Sequence, residues 1–216
     1  MIVVIGRPAL RGSGVESRAD GLAAQVATAA AAAGSQVEFI GKIGDDPTGD
    51  ELLLAFARAS VGHVATLRDA AHPTAVSPGP DGGDADGTDP TDPDEAIGGA
   101  PLPLDDAGPV LEAMDIDLAL RYLPDYGVIV VAHPTSQAVV DVAADAAAWA
   151  PAHLVVLLDP AGSSVEAPDT ALVLAVDRRD GDGIGPLVGR YAAAIDDGAD
   201  PATAFRATLA AASDPA

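Results

Sequence analysis

Apolar runs punctuate this chain. Met1–Gly6, Val37–Ile43, Val128–Ala132, Leu154–Leu158 and Ala171–Val176 each hold five to seven residues, interrupted only by Glu38 and Lys42 in the second. Gly, Pro or Asp bounds most of them, so they read as strands buried on both faces. Segments with helical spacing lie between them. Asp20–Gly34 is Ala-rich, with Asp20 as a cap and Gly34 as the stop. Pro47 to about Ala59 carries Leu52, Leu53, Leu54 and Phe56. Further helices are expected near Asp115–Leu123, Ser136–Trp149, Ile184–Asp197 and Pro201–Ala212. Residues 7–19 read as loop, and residues 63–77 have room for one or two short strands. No internal repeat is visible.

Strands that alternate with helices predict an α/β fold with a mostly parallel central sheet and helices on both faces. In such folds ligands sit at the carboxyl ends of the strands. The loops after Gly6, Ile43, Ala132, Leu158 and Val176 are therefore the candidate edge. The length suits one domain spanning residues 1–216. Composition shifts near residues 78–103, a Pro-, Gly- and Asp-rich stretch with little to bury, expected as an exposed acidic loop. Within it Asp84 to Glu95 has partial calcium-loop spacing, but the glycine at the sixth place is missing, and a solvated loop is the better reading.

Charge narrows the classes. Eleven Lys and Arg oppose 33 Asp and Glu, for a net −22, yet 49% of residues are hydrophobic, so the chain can fold. Between Asp69 and Asp177 the one basic residue is Arg121. That excludes nucleic-acid binding by phosphate neutralisation and binding to an anionic membrane surface. No apolar run has transmembrane length, and the start of the chain lacks the pattern of a leader, so a cytoplasmic protein is expected. Without Cys there are no disulfides, Cys–zinc sites or thiol nucleophiles. Asp outnumbers Glu, and Lys42 is the single lysine. That bias points to a salt-accumulating microbe such as a halophilic archaeon, whose cytosol screens the acidic surface.

The richest constellation runs from Asp20 to Leu52. Gly21 precedes a helix, where a ligand can approach the backbone and helix-start N–H groups can hold oxygens. Gln25, one turn in, both donates and accepts, as a sugar hydroxyl requires. Lys42 stands at a strand end, before Gly44-Asp45-Asp46-Pro47-Thr48-Gly49. A plain strand–turn–helix explains the same residues, with Asp45 and Asp46 as caps and Lys42 as solvated surface.

This segment resembles the PfkB-type, ribokinase-like carbohydrate kinases. Their first signature has a Gly pair, an Asn, an Ala-rich helix ending in Leu-Gly, then G-x-x-G-x-D-x-x-G. Asp20-Gly21, Gln25, Ala33-Gly34, Gly41, Gly44, Asp46 and Gly49 stand at those places. A weaker likeness extends to Leu158-Asp159-Pro160. The resemblance implies a three-layer α/β/α fold, with the lid reduced or absent because little sequence separates Gly6 from Asp20. It implies transfer of a phosphoryl group from ATP, with Mg2+, to a hydroxyl of a sugar or similar small molecule. Gly21, Gln25, Lys42 and Gly44 would then bind substrate. Whether a homodimer partner replaces the lid is left open.

The family's second signature, D-T-x-G-A-G-D-x-F-x-x-G, corresponds to Asp180 through Gly189. Gly181, Gly183 and Gly185 would form the anion hole at the nucleotide. The catalytic Asp falls on Ile184, which accepts no proton, so Asp182 or Asp180 would have to serve. The alternative is an inactive descendant that binds a small molecule or a protein. Arg178 and Arg179 could offset the acids there. Of the four His, none has metal-site spacing, and His133 follows a central strand and faces the ligand edge.

Overall fold

A computed structural model describes residues 1–77, 108–123, 125–160, 164–176 and 181–213. Six strands form one parallel sheet: β1 (Ile2–Ile5), β4 (Val37–Gly44), β5 (Thr66–Asp69), β6 (Val128–Ala132), β7 (His153–Leu158) and β8 (Leu172–Ala175). Their order is β5-β4-β1-β6-β7-β8. The chain winds outward from β1 in one direction, then returns to its other side at β6. The register pairs Ile5 with Ile40 on one flank and with Val131 on the other. The switch in winding therefore falls between β1 and β6, where an open α/β sheet forms its ligand crevice.

Strand periodicity sorts the core into two layers. Val4, Phe39, Ile43, Val130 and Leu157 point to one face, covered by α1 (Leu22–Ala32), α2 (Pro47–Arg58), α5 (Gly181–Asp196) and α6 (Pro201–Ser213). Val3, Ile5, Ile40, Ile129 and Val156 point to the other, covered by α3 (Ala113–Tyr122) and α4 (Gln137–Trp149). Phe39 and Phe56 anchor the first layer with ring centroids 4.7 Å apart. The α/β/α sandwich and its parallel sheet are those expected.

Two local expectations fail. Residues 7–19 are not plain loop. They hold β2 (Ala9–Arg11), a 3-10 turn (Gly14–Glu16) and, with Asp20, β3 (Arg18–Asp20), an antiparallel pair. The strands have three residues each, too short to show a period. Asp20 is consequently the last residue of β3 and not a helix cap. Gly21 takes the N-cap of α1 with φ 87° and ψ 156°, a conformation that suits glycine. The 63–77 region gives β5 plus a segment that bonds to the hairpin, Leu10 N to Ala75 O at 2.9 Å and Ser77 N to Leu10 O at 2.8 Å. The acidic stretch at 78–103, including Asp84–Glu95, lies outside the described residues, as do Arg178, Arg179 and Asp180.

Candidate functional site

At the carboxyl edge, β4 ends in a knot of polar contacts. Asp46 caps α2, its Oδ1 accepting from Gly49 N at 2.7 Å. The same carboxylate accepts from Thr74 N at 2.8 Å and Thr74 Oγ1 at 2.8 Å. The Thr74 hydroxyl in turn accepts from Gly44 N at 2.9 Å. Burial works to raise the Asp46 pKa, but these bonds prevail and hold it below the usual range. A Cβ on Gly44 would lie 2.5 Å from Thr74 N, and one on Gly49 would lie 2.5 Å from Gly44 O. Gly44 thus serves the turn itself. Asp46→Ala is expected to cost about 2 kcal/mol, the cap plus the orphaned Thr74 donors. Urea unfolding reads it, and Thr74→Val should show part of the same loss, not an additive one.

Asp20 is the second centre. It is 5% exposed, yet its carboxylate is well partnered. Oδ2 accepts from Arg11 Nε at 2.8 Å and pairs with Nη2 at 2.7 Å. Oδ1 accepts from Gln25 Nε2 at 3.1 Å. Burial pushes its pKa up, but bonds from Ser77, Gln25 and the Gly21 backbone, with the Arg11 charge, hold it below the ordinary value. The hairpin, the start of α1 and the 75–77 segment therefore meet on one ionised group. Sequence reading missed this role, since neither Arg11 nor Ser77 has a motif around it.

Gln25 also faces α5. A Cβ built on Gly185 would fall 2.6 Å from Gln25 Cβ and 2.7 Å from its Oε1. Gly185 is buried inside α5, so it lies in a helix and not in a glycine loop. Gly183 is also helical, but exposed, and an added Cβ there meets nothing within 4 Å. Packing thus explains Gly185 and not Gly183. Gly181 opens the helix, and Asp182 follows it in the first turn. Ile184 packs against the first core layer.

Lys42 stands apart from these groups. Its side chain lies on the α3 face and pairs with Asp115 at 2.7 Å, both side chains 17% exposed. It is neither solvated surface nor a neighbour of Gln25 in any contact described. His133 does stand at the edge after β6, with φ 48°, a strained value for a non-glycine residue. Burial lowers its pKa, and Nε2 lies 3.4 Å from Val176 O.

The edge now holds the hairpin, the Gly21–Gln25 helix start, the Asp46 knot and the head of α5. Residues 3–77 match the pfkB family carbohydrate kinase model. This pfkB-like region covers β1 through the Asp46–Thr74 knot. No curated protein matches the chain. Among solved structures, a candidate ribokinase II from E. coli, in its apo form, superposes with a TM-score of 0.62 at 13% identity. That match covers 98% of this chain and 91% of the other. Aminoimidazole riboside kinase from Salmonella enterica gives 0.50 at 18% identity, covering 73% of this chain and 49% of that one. The chain thus spans about half the length of that relative. Fructokinase with bound ATP from Xylella fastidiosa gives 0.50 at 16% identity, over 97% and 68% of the two chains. These likenesses establish the ribokinase-like fold. Among the described residues, no helix is long and apolar enough to cross a membrane.

Proposed function

We propose that this chain is a small ribokinase-like phosphotransferase, moving a phosphoryl group from ATP to a hydroxyl of a sugar or similar small molecule. The observation that carries the reading is the meeting of Gln25 with Gly185. It brings Gln25, in the first turn of the helix that Gly21 opens, against α5 and so supports a substrate role for this helix start. At the head of α5 the N–H groups near Gly181 and Gly183 suit a phosphate. Gly44 supports the turn through the Asp46 knot, whereas Lys42, paired with Asp115 on the other face, is left out of the site. Asp182, in the first turn of α5, is the base we assign. Magnesium bound to the phosphates of the nucleotide would neutralise their charge during transfer. The reaction belongs to the cytoplasm, where ATP is available.

A second reading is a binding module without transfer. It is favoured by Ile184, a half-buried apolar residue packed against the core where the resemblance expects the catalytic Asp. One experiment separates the two. Mg-ATP is titrated calorimetrically into protein held folded in multimolar KCl, followed by transfer assays on a panel of sugars and nucleosides. The kinase reading expects saturable binding and transfer that falls about 100-fold in Asp182→Asn, the scale of a lost general base. Binding with no transfer, gained only in Ile184→Asp, assigns the binding module. No binding by folded protein overturns the kinase. Sedimentation of the same sample tells whether a second copy associates with the first.

A further inference from the structure

A groove of about 790 Å3 lies between α3 and α4, lined by Tyr122, Tyr126, Trp149, Asp117, Asp125 and Asp145 among others. Tyr122 leads through residues 125–127 into the start of β6, and Trp149 leads into the start of β7. The groove is therefore at the amino edge of the sheet, opposite the candidate site.

Its composition is unlike the rest of the chain. The protein has one Trp, three Tyr and three Phe. The Trp and two of the Tyr line this groove, and Trp149 is 86% exposed while Tyr122 is 77% exposed. An apolar stripe extends it, since Met114, Leu118 and Tyr122 follow one another at i, i+4 and i+8 on α3, all exposed. Exposed Trp, Tyr and Met gathered in one place form the usual core of a protein interface.

The rim decides the partner. Asp117, Asp125 and Asp145 stand around the apolar floor. The lone cation, Arg121, is held by Asp117 at 2.6 Å. The groove thus presents net negative charge. A second copy, with a net charge of −22, would bring like charge to it. We infer that the α3–α4 groove docks an amphipathic helix of a partner protein, with apolar anchors on Tyr122 and Trp149 and Lys or Arg toward Asp125 and Asp145. The stripe spans two turns, about 12 Å, which matches anchors at i, i+4 and i+7 on such a helix.

The probe is a synthetic Leu/Lys amphipathic helix of about 14 residues, roughly 21 Å long, titrated into the full chain. Trp149 fluorescence reports on the groove without labels. The expected result is a saturable blue shift, weakened about tenfold or more in Trp149→Ala (read by calorimetry) and in Asp125→Lys/Asp145→Lys. Circular dichroism confirms that both variants fold. A control double, Glu16→Lys/Asp197→Lys, makes the same charge change at exposed acids outside the groove and should bind as the parent does. Equal weakening by both doubles would overturn the proposal, because binding would then follow overall charge. So would equal binding of a Leu/Glu version of the peptide. Self-association that Trp149→Ala abolishes would overturn it in favour of a second copy.

Discussion

Gly189→Val is expected to destabilise the protein by about 3 kcal/mol, at the upper end of core overpacking. At 2–4 °C per kcal/mol for a chain of this size, that lowers Tm by about 6–12 °C. The reason is backbone contact. A Cβ on Gly189 would lie 2.5 Å from Val26 O and 2.9 Å from Ala30 N, with Ala29 Cβ at 2.7 Å. None of these atoms ends a flexible side chain, so α5 must move away from α1. The facing helix is built for closeness, with Ala23, Ala24, Ala27 and Ala30 all buried. Gly183→Ala is the control. Its Cβ would have open space, and alanine is the better helix former by up to about 1 kcal/mol, so that variant should be neutral or slightly stabilised. Equal losses in both would show that the α1–α5 contact is not what makes Gly189 costly to replace.

That contrast also marks how far the sequence could be read. Glycines at 181, 183, 185 and 189 look alike in a string. Only the packing separates Gly185 and Gly189, pressed against α1, from Gly183, where an added Cβ would have open space. The layers were legible because unbroken apolar runs such as Val128–Ala132 have one explanation, burial on both faces. The knot was half legible. Asp46 as a cap follows from Pro47 behind it, whereas Thr74 lies 28 residues away and no local pattern ties it to Asp46. Lys42 shows the same limit, since its partner Asp115 comes from a helix across an acidic stretch. The hairpin was missed because three-residue strands are held by cross-strand partners rather than by a period of their own. Local chemistry was readable where the partner is within one turn, and lost where the fold supplies it.

Asp20→Ala should carry the other large penalty, about 3–4 kcal/mol, the scale for breaking a buried ion pair. Arg11 would be left mostly buried without its carboxylate, and Gln25 would lose its acceptor. The sign of the pH dependence follows from the depressed native pKa. The stabilisation is fully present above the unfolded-state value, about 3.9, and is lost as pH falls through the lower native value. The difference between parent and variant should therefore be flat from pH 7 to about pH 5 and shrink below about pH 4. A difference that persists undiminished at pH 2 would mean that shape, not charge, supports the site. Hydrogen exchange locates the damage: the pairing of Leu10 with Ala19 should open before the parallel sheet does. Because Asp20 also holds Gln25, ligand binding at the carboxyl edge should weaken under native conditions where the fold itself survives. Asp20 thus ties the hairpin to α1: the carboxylate that pairs with Arg11 also holds Gln25.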